Sequence, residues 1–228
     1  MSHVRRLFDC LKRGGMEYRT FMHSWRTDKN RIWGEESPVP IDYTEYALLS
    51  PDVYQLDEQD MFLDTIRFAD YFDRSVYNVY GGDTYREWRP ELIRNHLCAL
   101  ESQRRVTEMM MLDAKSSGCE FDYVVYVRPD VEIHTDFDVS WLSGGGGGGG
   151  IGVGEIAIPN REHYEGYNDR FAIVPYANSG VYGKRIEEIV EFRKERGRIV
   201  SEKFVKYIVE KYFTRVHFVD FVFTIERP

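Results

Sequence analysis

Apolar residues recur along this chain with two periods, and their alternation predicts interleaved helices and strands. Val4, Leu7, Phe8 and Leu11 keep i, i+3, i+4, i+7 spacing, which predicts an amphipathic helix over 4–13 closed by Gly14-Gly15. Tyr18–His23 reads as a short strand running into Ser24-Trp25, and Arg26–Pro51, with mixed charges and three prolines, as a long loop. A helix is predicted over Asp57–Phe72, with Met61, Phe62, Ile66 and Ala69 inward, and a strand over Val76–Tyr80 ended by Gly81-Gly82-Asp83. Pro90 suits the first position of a helix through Lys115, because its missing N–H is not needed there. Leu92, Leu97, Leu100, Val106, Met110 and Leu112 supply that helix's buried stripe.

Tyr123–Val127 is β-branched and aromatic throughout, as a buried strand requires, and Pro129 stops it near Arg128. Ile156–Ile158 and Phe171–Val174 are further strands. Arg185–Arg196 is helical, with Ile186, Ile189 and Val190 inward and Gly197 as its stop. Ser201 is placed to cap the next helix, with Glu202 near its positive end, and Arg215–Ile225 alternates as a final strand. The interleaving predicts a single-domain α/β sandwich with a mostly parallel or mixed central sheet.

Composition narrows the function classes. At 228 residues the chain has ample material for a core, and its net charge of −8 argues against a general nucleic-acid binder. Cys10, Cys98 and Cys119 lack metal-type spacing, and an odd count is a poor disulfide framework, so a reducing compartment is expected. No apolar stretch follows Met1-Ser2-His3-Val4-Arg5-Arg6 and none reaches membrane-span length, so neither a signal peptide nor a membrane span is predicted. Cytoplasmic placement is the expectation. The abrupt start and the end at Arg227-Pro228 suggest a fragment of a longer chain.

The glycines at 144–150 imitate a dinucleotide fingerprint, but no strand precedes them and Glu155-Ile156-Ala157-Ile158-Pro159 after them reads as a strand. A bound pyrophosphate would find no helix N-terminus there, so 143–154 is expected to be a flexible connector. The acidic loop carries more chemistry. Asp130 and Glu132 follow the carboxyl end of a strand, where open α/β sheets place ligands, beside Arg128. Two carboxylates and an arginine suit a divalent cation and a phosphate.

Four segments in order resemble one family. They are Phe21-Met22-His23-Ser24-Trp25, the run Asp122 to Asp130, Asn168-Asp169-Arg170-Phe171-Ala172, and Ser201-Glu202-Lys203-Phe204. Over about residues 4–213 the chain is similar to the small GT-A-type glycosyltransferases of large algal and protist viruses, some bacteria and algae. Two departures stand out: the chain starts at the helix that follows the family's first strand, and Arg128-Pro129-Asp130 replaces the usual D-x-D metal motif.

The resemblance implies a GT-A-like, Rossmann-type three-layer sandwich. It also implies transfer of a hexose or pentose from a nucleotide diphosphate sugar to a hydroxyl of a glycan or glycoconjugate acceptor. A Mn²⁺ or Mg²⁺ ion would neutralise the leaving diphosphate. Asp130 is the expected first metal ligand and Glu132 the second, unless Asp130 only caps a turn. Arg128 suits a diphosphate oxygen, or a salt bridge orienting Asp130. Asp169 is the candidate general base, with Asn168 and Arg170 toward the sugar or acceptor; an Asx turn is the plainer reading of this segment. Glu202 is either a second catalytic carboxylate or a helix-end stabiliser. His23, Ser24 and Trp25 would approach the nucleotide or sugar, although a core tryptophan fits equally. His217, alternating with Val219, Phe221 and Phe223, reads as a core or edge histidine before a metal ligand. The rival readings are a carbohydrate-binding or scaffold domain derived from such an enzyme, and a metal-dependent nucleotidyltransferase or phosphatase.

Overall fold

A computed structural model describes residues 2–27, 31–32, 35–36, 41–73, 90–142 and 150–225. The strand expected at Val76–Tyr80 and most of the glycine connector lie outside them. Helix α1 runs through Val4–Phe8 in wide π turns and Asp9–Arg13 in α turns. Strands β1 (Phe21–Arg26), β2 (Arg31–Ile32), β3 (Glu35–Glu36) and β4 (Val53–Glu58) follow, then the short α2 (Gln59–Leu63). The long α3 (Pro90–Ser117) leads into β5 (Tyr123–Val127), β6 (Val131–Ile133), β7 (Glu155–Pro159) and β8 (Phe171–Pro175). The chain closes with α4 (Tyr176–Gly183), α5 (Ile189–Arg196, entered through a 3₁₀ turn at Arg185–Glu188), α6 (Ser201–Tyr212), β9 (Arg215–Val219) and β10 (Phe223–Ile225).

The architecture is α/β with a mixed sheet. Strand order in the four-stranded sheet is β5-β8-β7-β9, antiparallel at its first two pairings and parallel between β7 and β9. The pair β1-β4 is parallel, while β6-β10 and β2-β3 are antiparallel. Both faces of the central strands are covered. In β8, Phe171 and Ile173 turn toward Leu7, Cys10 and Leu11 of α1, whereas Ala172 and Val174 turn toward Tyr182 of α4 and Val205 and Val209 of α6. This explains why β7 and β8 read as continuous apolar runs without a polar face. A further cluster packs Ile93, Leu97 and Leu100 of α3 against Phe192, Phe204 and Ile208. Each large aliphatic side chain fully buried there contributes about 1.5–3 kcal/mol.

Four expectations need correction. Residues Val53–Glu58, of which 53–56 carry no predicted element and 57–58 fall in a predicted helix, form a strand because they pair in parallel register with β1, a partner that local periodicity does not reveal. The helix expected through Phe72 shrinks to Gln59–Leu63, and Met61 is 71 % exposed although Phe62 is buried as expected. On α3, Leu112 is 68 % exposed because the buried stripe passes from Met110 to Ala114 and leaves Leu112 off that face. The expected final strand is two strands, since the chain leaves the central sheet after Val219 and β10 pairs with β6. No helix among the described residues is long and apolar enough to cross a membrane. The three cysteines are free thiols.

Candidate functional site

Antiparallel pairing of β5 with β8 explains why segments some forty residues apart meet. The register sets Val127 opposite Phe171, so the chain leaving β5 at Arg128 runs beside the chain entering β8 at Arg170. The Arg128 N–H donates to the Arg170 carbonyl at 3.2 Å. A third segment joins them, for the Tyr167 N–H donates to the Glu202 carbonyl at 2.9 Å and seats the first turn of α6 against the loop before β8. Gly166 is needed for this approach: a Cβ there would land on the Glu202 and Lys203 backbone. Gly166→Ala is therefore expected to lower stability by at least the ~1–3 kcal/mol typical of overpacking, with the deficit visible in urea denaturation. A variant as stable as the parent would contradict this contact.

The loop itself is strained. Glu162, Tyr164 and Glu165 adopt left-handed backbone with φ of 54°, 43° and 67°. Asn168, fully buried, holds it: its side-chain N–H donates to the Arg161 carbonyl at 3.2 Å, and its side-chain oxygen accepts the Arg170 N–H at 2.9 Å. That is the Asx turn, so Asn168 shapes the site without facing it.

At the centre lie Asp169, Arg170 and Glu202, whose side chains are 13 %, 12 % and 10 % exposed. The Arg170 guanidinium lies 2.6 Å from Glu162, 3.8 Å from Glu202 and 3.9 Å from Asp169. Its charge is spent on three carboxylates, so it is the cation that holds the acid pair together. Burial first, and the Asp169 charge second, raise the Glu202 pKa above its ordinary value, although the Ser201 hydroxyl donates to Glu202 at 2.7 Å and lowers it. Desolvation thus outweighs the helix end that was expected to favour the Glu202 charge. Ser201 bonds Glu202 instead of capping the helix, and the N-cap position falls to Val200.

Because the folded pKa of Glu202 lies above its ordinary value of 4.5, the folded state binds the proton more tightly. Glu202 therefore costs stability as pH rises past the ordinary value toward the folded one. Glu202→Gln is expected to be more stable than the parent at pH 7 and to lose this advantage at pH 4, in paired thermal melts. An advantage of equal size at both values would contradict the shift.

Two buried groups not expected from the sequence complete the cluster. His96 of α3 is 8 % exposed, and its pKa is driven down to about 4, chiefly by burial; Asp169 opposes this, while Arg185 and Arg128 add to it. Arg185 is 3 % exposed, hydrogen-bonds the Gln103 side chain and the Tyr182 carbonyl (2.9 Å), and stacks over the Tyr182 ring at 4.4 Å. Both carried a signal that went unused. His96 falls on the same stripe as Ile93, Leu97 and Leu100, and Arg185 sits four and seven residues before the buried Ile189 and Phe192.

No family model, curated protein or solved structure matches this chain. The site must be read from its own geometry.

Of the expected site residues, Arg128, Asp130, Asn168, Asp169, Arg170 and Glu202 gather at this sheet end. Arg128 grips Asp130 through Nε (2.8 Å) and Nη2 (2.5 Å), the orienting salt bridge foreseen as one of its two roles. His3 of α1 hydrogen-bonds the Arg128 carbonyl at 3.0 Å. Glu132 is exposed on β6, opposite Thr224 of β10. With both Asp130 oxygens engaged and only Glu132 following, the donor set as arranged does not fit a divalent cation. No group of three or more His, Cys, Asp or Glu suited to a metal is found among the described residues.

His23, Ser24 and Trp25 go elsewhere. The buried His23 ring bridges Ser102 Oγ (2.5 Å) and Asp57 (3.1 Å), tying β1 and β4 to α3. Trp25 stacks on Phe62 at 5.5 Å, donates to the Cys98 carbonyl at 3.0 Å and carries Arg105 over its ring at 4.8 Å. Ser24 pairs with Leu56 in the β1-β4 register. The His23 ring and Trp25 pack against α3, and neither makes a hydrogen bond or ion pair to Asp169, Arg170 or Glu202 among the described residues. His217 pairs with Glu155 at 2.7 Å as an edge histidine.

Proposed function

We propose that the sheet-end cluster is a glycosyl-transfer site for a nucleotide diphosphate sugar. The observation that carries the reading is the buried Asp169–Glu202 pair, held by Arg170 and assembled from two of the segments that resemble the glycosyltransferases. Two carboxylates at one site are what acid–base work at an anomeric carbon requires. In this reading Asp169 takes the proton of the acceptor hydroxyl as its oxygen bonds the anomeric carbon. The bond from that carbon to the diphosphate breaks, and nucleoside diphosphate leaves. Glu202, its pKa raised by burial, hydrogen-bonds a sugar hydroxyl. Arg128 is the more exposed arginine, at 35 % for its side chain, and the one positioned to share its charge between Asp130 and the diphosphate.

A second reading, a carbohydrate-binding domain without turnover, draws on the Arg128–Asp130 pair, which occupies the carboxylate that a metal would need. One experiment separates the two: the chain is incubated with UDP-, GDP- and dTDP-linked sugars, with and without Mn²⁺, and released nucleoside diphosphate is measured. Release from one donor class supports transfer. Thermal stabilisation by a sugar with no release supports the binding domain.

A further inference from the structure

Between the end of α5 and α6 lies a cavity of about 380 Å³ lined by Glu165, Phe192, Arg196, Arg198, Lys203, Lys206, Tyr207 and Glu210. We propose that it binds the phosphate group of a phosphate ester, separately from the site above. Its size is within the ~300–1,000 Å³ range of small-molecule sites. Its charge runs against that of the whole molecule, with four cations facing two carboxylates in a chain of net charge −8. Such a local reversal concentrates anions.

Two features of the chain build it. On α6, Lys203, Lys206, Tyr207 and Glu210 follow i, i+3, i+4, i+7 spacing and form one wall. Opposite, Gly197 ends α5 with φ of 83°, a left-handed turn that brings the flanking Arg196 and Arg198 to the same cavity. The ion pairs of the region take up the lysines, Lys203 with Glu165 at 2.5 Å and Lys206 with Glu210 at 3.7 Å. They leave out the exposed Arg196. Phe192 and Tyr207 close the floor, with rings 5.3 Å apart, and the Tyr207 hydroxyl donates outward to Glu195 at 3.2 Å. The planar arginine fork takes two oxygens of one anion at once, which a tetrahedral phosphate offers and a lone halide does not.

The test is isothermal titration of the full chain with inorganic pyrophosphate. In an Arg128→Gln background, which removes the cation proposed above to meet a diphosphate, one saturable site is expected, weakened about tenfold or more by adding Arg196→Gln/Arg198→Gln and less by Arg196→Lys. Asp169→Asn is expected to bind as the parent does, so failure of the transfer reading leaves this one standing. The single Arg196→Gln variant, at an exposed position, serves should the double variant lose its fold. A parallel arm sediments phosphatidylcholine vesicles with and without phosphatidylinositol phosphate. Arginine-dependent vesicle binding identifies a lipid headgroup as the phosphate's source, and pyrophosphate binding alone identifies a free ester. Absence of saturable binding into the millimolar range, or equal affinity in the arginine variants, overturns the proposal.

Discussion

Asp169→Asn is expected to reduce nucleoside diphosphate release by about 10²–10⁴-fold while leaving the thermal melt close to that of the parent. The substitution keeps volume and hydrogen-bonding shape but removes the group that would accept the acceptor's proton. The fold should tolerate it because the loop is held by the neighbouring Asn168, whose bonds to Arg161 and Arg170 do not involve the Asp169 carboxylate. Loss of one negative charge beside Arg170 is compensated by Glu162 at 2.6 Å and Glu202 at 3.8 Å. The same substitution relieves the repulsion that helps raise the Glu202 pKa, so Glu202 should titrate at lower pH than in the parent. Unchanged turnover in Asp169→Asn would remove Asp169 from the chemistry and, with it, the main support for transfer at this site.

Stability is expected to fall by about 2 kcal/mol between pH 7 and pH 5, and by about 3 kcal/mol by pH 4, through His96 alone. Its folded pKa of about 4 lies below the ordinary 6.5, because burial and the positive charges of Arg185 and Arg128 outweigh the attraction of Asp169. The unfolded chain therefore binds a proton that the folded chain refuses. The contribution is fully present above pH 6.5 and is lost as pH falls through 6.5 toward 4. His3, His23 and His163 are shifted down as well, each chiefly by burial, and add in the same direction. For a chain of this length, 2 kcal/mol corresponds to about 4–8 °C in melting temperature. His96→Leu, which fills similar space without a titrating group, should narrow the gap between melts at pH 7 and pH 5. An undiminished gap would place the acid sensitivity in the other histidines.

Residues with strong local signals were legible in the chain. Pro90 does open α3, Gly197 does end α5, and the runs Tyr123–Val127 and Phe171–Val174 lie within strands. The misses share one cause. Residues 53–58 carry a pattern that fits helix entry or loop, and only pairing with β1 makes them a strand. Trp25 and His23 have the residue types of a ligand site, yet packing against α3 turns them into core. His96 and Arg185, polar groups on apolar stripes, were readable in principle but became informative only once their neighbours were known.

By itself the sequence determined the helical and β periods, the covered central strands, and the short polar segments around Arg128, Asp169 and Glu202. These follow from side-chain chemistry and spacing within a few residues. Tertiary structure alone decided that the three segments meet, because their meeting depends on the antiparallel β5-β8 register and on Gly166 letting α6 approach. It also decided their charge balance. Beyond the local Arg128–Asp130 and Asp169–Arg170 pairs, Arg170 meets Glu202 across the chain, and Glu202 is raised by exclusion of water. Desolvation and non-local pairing depend on what surrounds a group in space, and neither is written in its immediate sequence neighbours.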